Sequence, residues 1–116
     1  MRERRKQRPD LYPPGWKRIT QKCRERAGNC CEHCGIAQYT LAQGRSGTPY
    51  LIYLQAAHVH RLDPHFLLIE PIGGQRIRAL CPTCHGRYDA HWRREEQRQE
   101  AQEAQEAQEA AANPAA

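Results

Sequence analysis

From Trp16 onward, apolar or small residues return at the spacing of one helix face: Trp16, Ile19, Cys23 and Ala27. Lys17, Arg18, Lys22, Arg24 and Arg26 fall mostly between them, and Gly28 stands where a helix would stop. The pattern predicts an amphipathic helix with a basic outer face, and it puts Cys23 on the buried side as a small hydrophobe. Leu11-Tyr-Pro-Pro-Gly-Trp16 ahead of it is a turn-forming entry segment. Ile36 to Thr48, with Gly44, Ser46 and Gly47 before Pro49, reads as a loop. Tyr50-Leu-Ile-Tyr-Leu-Gln-Ala-Ala-His-Val-His60 then reads as one strand, rich in aromatic and β-branched residues at its start. Alternate strand residues share a face, so Leu54, Ala56, His58 and His60 are expected on one side. Leu62-Asp-Pro64 ends that run, His65 to Glu70 is expected as a short second strand, and Pro71-Ile-Gly-Gly74 turns the chain back.

The last pattern begins at Cys81. Pro82 suits the first turn of a helix, where its missing amide hydrogen has no partner to lose. Gly86 weakens the helix that follows, which would place His85 and Asp89 one turn apart on one face. Ala101 to Ala110 repeats Gln-Glu-Ala, so this helix is expected to run on into solvent. A period of three drifts around a 3.6-residue helix, so no apolar stripe and no coiled coil is expected.

Composition narrows what these elements can build. Of 116 residues 39% are hydrophobic, with a single Phe and a single Met, which is poor material for a large core. One compact domain is expected over residues 11–92, between a disordered basic arm at 1–10 and a charged tail at 93–116. Domains this small commonly need a metal or disulfides. Neither a membrane-length apolar run nor a signal-peptide pattern is apparent, so a soluble, cytoplasmic protein is expected. In a reducing compartment, six cysteines with two Cys-x-x-Cys pairs favour zinc over disulfides. The net charge of +5 conceals a division: residues 1–92 carry 15 Lys and Arg against 7 Asp and Glu, whereas 93–116 carry 3 against 6. The basic body points towards a polyanion.

Two constellations carry chemistry. Cys31 and Cys34, with Cys81 and Cys84, supply four thiolates, the ligand set of a tetrahedral structural zinc. Cys30 and His33 are the spare donors beside the first pair. The second group is His58, His60, His85, Asp89 and His91. A strand histidine can act as a general base towards water, while a divalent ion held by a helix histidine stabilises developing phosphate charge.

The order Cys-x-x-Cys, strand ending in Ala-His, second strand, then Leu-Cys-x-x-Cys-His on a helix resembles the HNH endonucleases. Tyr12-Pro-Pro-Gly-Trp-Lys17, Arg24-Glu-Arg-Ala-Gly28, Ala57-His58 and Ala79-Leu-Cys-Pro-Thr-Cys-His-Gly-Arg-Tyr-Asp89 are similar to the small phage and prophage members. The resemblance spans residues 11–92. It implies an α+β, zinc-stapled ββα-metal domain, here with an added N-terminal amphipathic helix and an extended charged C-terminal helix. It also implies that His58 is the water-activating base and that His85 is a ligand of a catalytic divalent cation, Mg2+ or similar. The family's middle Asn, which orients the base, falls on Arg76, and the residue before the first His, often a ligand, is Ala57. His60 or Asp63 is then the candidate further ligand, Asp89 a ligand or orienter, and Gln75 the candidate orienter of the base.

The favoured expectation is a metal-dependent DNA endonuclease or nickase that hydrolyses phosphodiesters, with Arg61, Arg76, Arg78 and Arg87 on phosphates. A catalytically inactive, zinc-stapled DNA-binding module is the first alternative, and a zinc-bearing protein–protein adaptor the second. DNA is the expected partner, with room for a protein that supplies specificity and no role for a membrane.

Overall fold

The structure is a computed structural model and describes residues 13–112; the basic arm at 1–10 and the chain end around Pro114 lie outside them. Helix α1 spans Trp16–Arg26, as its apolar spacing predicts. Gly15, at φ 82°, opens it and accepts the Ile19 amide at 3.0 Å. Ala27 and Gly28 close it by donating to the carbonyls of Cys23 and Glu25. Cys23 is fully buried, and that burial, only partly opposed by Arg26 and Arg24, pushes its thiol up to about 11. It is a packing residue.

Four short strands follow, in two antiparallel hairpins: β1 (Leu41–Gln43) with β2 (Pro49–Leu51), and β3 (Gln55–His58) with β4 (Ile77–Leu80). Helix α2 then runs from Pro82 to Ala112. Among the described residues no helix is long and apolar enough to cross a membrane.

Three expectations are corrected here. The single strand over Tyr50–His60 is two strands in different sheets, and the expected loop before it supplies β1. The chain changes partners after Ile52, which still bonds the Tyr39 and Thr40 backbone, and at Leu54 side chains replace a strand neighbour. The Leu54 amide donates to Gln38 Oε1 at 2.6 Å, and Arg24 Nε donates to the Leu54 carbonyl at 2.7 Å. The second strand is not His65–Glu70, which forms turns with Leu67 and Leu68 exposed; β3 pairs instead with Ile77–Leu80, where Ile77, Ala79 and Leu80 are buried. His58 and His60 therefore do not share a face, because β3 ends at His58 and His60 turns towards α2.

The β3–β4 hairpin lies between the two helices. Directly paired residues point to the same side of an antiparallel ladder. Ala56 with Ala79 and His58 with Ile77 form one face; Gln55 with Leu80 and Ala57 with Arg78 form the other. Helix α1 covers the first face, where Trp16 stacks on His58 at 5.3 Å. Helix α2 covers the second, where His85 Nδ1 meets Gln55 Oε1 at 2.6 Å. The core between them is small: Cys23, Leu54, Ile77 and Leu80 are its largest fully buried side chains.

The basic face of α1 is in part structural. Arg26 donates to the carbonyls of Glu70 and Ile77, at 2.6 and 2.5 Å, and so ties the helix to the long connection before β4. The same connection is held to α2 by Asp63, which is buried. Its carboxylate accepts Tyr88 Oη–H at 2.7 Å and the His65 amide at 2.9 Å, and Tyr88 Oη accepts the His60 amide at 2.9 Å. Burial alone would raise the Asp63 pKa, but these bonds and His65 outweigh it and hold it below the usual carboxylate range.

Candidate metal centre and basic cleft

Cys31 and Cys34 sit in a turn after α1, which Gly35 closes at φ 82° with its amide on the Cys31 carbonyl at 3.0 Å. The turn docks on β4 through Glu32, whose amide donates to the Ala79 carbonyl and whose carboxylate accepts the Ala79 amide at 2.6 Å. Cys81 follows β4 directly, and Cys84 lies in the first turn of α2. The sulfurs of all four lie within 4.8 Å of one another. Cys34 Sγ and Cys81 Sγ are 3.8 Å apart, the edge of a tetrahedron with sulfur about 2.3 Å from its centre, roughly 3.8 Å. The amides of His33 and Cys34 point at Cys31 Sγ, and that of Cys84 at Cys81 Sγ, each at 3.5 Å.

These amides matter for charge. Burial opposes ionisation of Cys31, but the backbone donors outweigh it and bring the thiol down to about 6. Cys84 goes the other way: burial first, then the neighbouring thiols and the Cys31 charge, push it up to about 12. A cation that displaces these protons resolves the conflict, since thiolates are the metal-binding form. The four cysteines can hold a metal ion such as zinc, and the group does not include Cys30 or His33.

The histidines are placed separately. His58 stacks on Trp16, with its Nε2 3.2 Å from Gln75 Oε1. His85 bridges Gln55 and Asp89, whose Oδ2 is 3.3 Å from His85 Nε2, so the expected one-turn pairing forms. His60 stacks on Trp92 at 5.5 Å and meets Glu96 Oε2 at 3.1 Å. Gln55 and His58 point to opposite faces and lie about 10 Å apart along β3, so His85 takes its strand partner at one end of β3 and His58 takes Trp16 and Gln75 at the other. Among the described residues only the four cysteines bring three or more His, Cys, Asp or Glu donors together. His91 meets the edge of Trp92 and belongs to neither histidine pairing.

The arginines also divide. Arg61 pairs with Glu96 at 3.1 Å. Arg76 lies over the Phe66 ring at 5.0 Å, with its Nε buried and unpartnered. Arg78 and Arg87 instead line a cleft of about 230 Å³ between β4 and α2, together with His33, Leu80, Tyr88 and His91. No acidic side chain lines it, and neither arginine has an ion pair among the described residues.

Sequence reasoning missed Trp16 and Glu96 as histidine partners. Glu96 stands four residues after Trp92, on the α2 face that carries His85 and Asp89, so helical spacing offered that signal. Comparison of the chain with protein-family models, with curated proteins and with solved structures finds no match.

Proposed function

We propose that this chain is a zinc-stapled DNA-binding domain of the ββα type, in which the cysteine clamp seats α2 against β3–β4 and a basic surface meets phosphates. The observation that carries this reading is the pair Arg78 and Arg87 in a cleft where, among the described residues, neither has an ion pair and no acidic side chain lines the wall. Arginine suits such contacts because its planar fork matches phosphate oxygens in pairs. Residues 13–92 add 10 Lys and Arg against 5 Asp and Glu, a balance suited to backbone binding. The HNH resemblance supports the same substrate class.

A second reading, DNA hydrolysis, is favoured by one observation. His58 is half-buried at a strand end, and Gln75 Oε1 can accept its Nε2–H, leaving Nδ1 as the proton acceptor. Gln75 then fills the orienting role left vacant by Arg76. Against this reading stands the difference in their partners, since His58 stacks on Trp16 whereas His85 bonds Gln55 and Asp89. We therefore place binding ahead of cleavage.

Zinc-loaded protein is to be mixed with duplex DNA over a range of salt, and with supercoiled plasmid plus Mg2+ or Mn2+. The binding reading expects a gel shift that weakens steeply with salt and no nicking. Nicking that His58→Ala abolishes, with zinc content unchanged, would transfer the case to the nuclease. Absence of any DNA shift at low salt would refute both.

A further inference from the structure

The cleft between β4 and α2 has a chemistry finer than general basicity. Leu80 and the buried Cys84, one of the four clustered thiols, line it. Arg78 from β4, Arg87 and His91 from α2, and His33 from the turn between Cys31 and Cys34 line it as well. Three separate segments thus contribute donors, with no carboxylate among the described lining residues. We infer that this cleft is a site for a single phosphate group at the end of a nucleic-acid strand, gripped by the guanidinium groups of Arg78 and Arg87.

Size and form favour an end over a passing backbone. A volume of about 230 Å³ holds one phosphate with part of its sugar, and Tyr88 bounds the cleft beside Arg87. The Tyr88 ring is fixed there, because its hydroxyl is engaged by Asp63 and by the His60 amide. A terminal phosphate also carries more charge than a phosphodiester, and charge-assisted bonds to arginine strengthen accordingly.

Zinc with four thiolates carries a net charge of −2, which Arg78, Arg87 and His33 would offset by standing nearby. The arrangement exceeds that need, since His91 lies seven residues beyond Cys84, about 10 Å further along the helix. The two accounts predict different losses. Arginines that serve the metal protect zinc; arginines that serve a phosphate protect a ligand.

This inference rests on the DNA-binding reading and can fail separately from it. Zinc-loaded full-length protein is titrated with a fluorescent single-stranded oligonucleotide bearing a 5′-phosphate, and with the same strand bearing a 5′-hydroxyl. Inorganic phosphate serves as competitor, and zinc release to a chelator is followed in parallel. The 5′-phosphate strand should bind about tenfold more tightly, the worth of one charge-assisted contact. That advantage should vanish in Arg78→Gln/Arg87→Gln and in the single Arg87→Gln variant, with zinc release unchanged. Inorganic phosphate should compete for the phosphorylated strand alone. Equal affinity for the two strands would overturn the inference while leaving general DNA binding intact. It would also be overturned if the Gln variants kept the advantage, or lost zinc faster without altering it.

Discussion

Stripping the metal is expected to unfold this domain rather than loosen it, and the size of its core says why. Apart from cysteines and alanines, its buried hydrophobic residues are Ile52, Leu54, Val59, Ile77 and Leu80. At about 1.5–3 kcal/mol each they contribute about 8–15 kcal/mol. A structural zinc in a small domain contributes roughly 10–16 kcal/mol at neutral pH. The ion is therefore worth as much as the whole aliphatic core, while net stabilities of domains are only about 5–15 kcal/mol. Without it, Cys84 is driven up to about 12 by burial and by its neighbouring thiols, so this thiol stays protonated and the two knuckles are held together only weakly. Far-UV circular dichroism melts of zinc-loaded protein, chelated protein and Cys81→Ser would test this. The chelated and Cys81→Ser samples should lose the cooperative transition and refold only when the former receives zinc. A chelated protein whose midpoint falls by less than about 5 °C, equal to roughly 1 kcal/mol at this size, would refute the reasoning.

Other outcomes follow from particular contacts. Asp63→Asn should lower stability by about 1–3 kcal/mol at neutral pH, the cost of weakening bonds to a buried carboxylate. Since the folded pKa of Asp63 lies below its ordinary 3.8, its contribution is present above that value and fades as pH falls through the lower one. Denaturant melts across acid pH should therefore show the Asn variant converging with the parent as acid increases. Gly73→Ala should cost about 1–2 kcal/mol in chemical denaturation, because Gly73 has φ 57° and an added Cβ would sit 2.7 Å from Ile19 Cδ1. Deleting residues 101–112 should leave the melting midpoint within about 2 °C, since the Gln–Glu pairs along that exposed helix contribute only a few tenths of a kcal/mol each.

The helices and the thiolate cluster were legible because their signals are local. Trp16, Ile19 and Cys23 mark a face by spacing alone, and Pro82 marks a helix start by chemistry alone. The strands were not, because what divides Tyr50–His60 is Gln38, a residue far back in the chain that takes the Leu54 amide. The same holds for Leu67 and Leu68: apolar residues side by side suggested a strand, yet the turn set by Asp63 and His65 leaves both in solvent. Ile77–Leu80 was not legible as a strand at all, although its Ile77 and Ala79 alternate as a buried face requires. Facing was the least legible property of all. His58 and His85 read as neighbours, yet the register puts His58 and Gln55, the strand partner of His85, on opposite faces of β3.

The helix that carries Cys84 in its first turn is the same uninterrupted rod that ends at Ala112. Over 31 residues it reaches about 46 Å, so it behaves as a pointer pivoting near the four clustered thiols. One degree of tilt at the knuckle sweeps the far tip by roughly 0.8 Å over that length. Any displacement of the clamp, too slight to notice among the sulfurs, is thereby magnified into a visible swing of the distal glutamates.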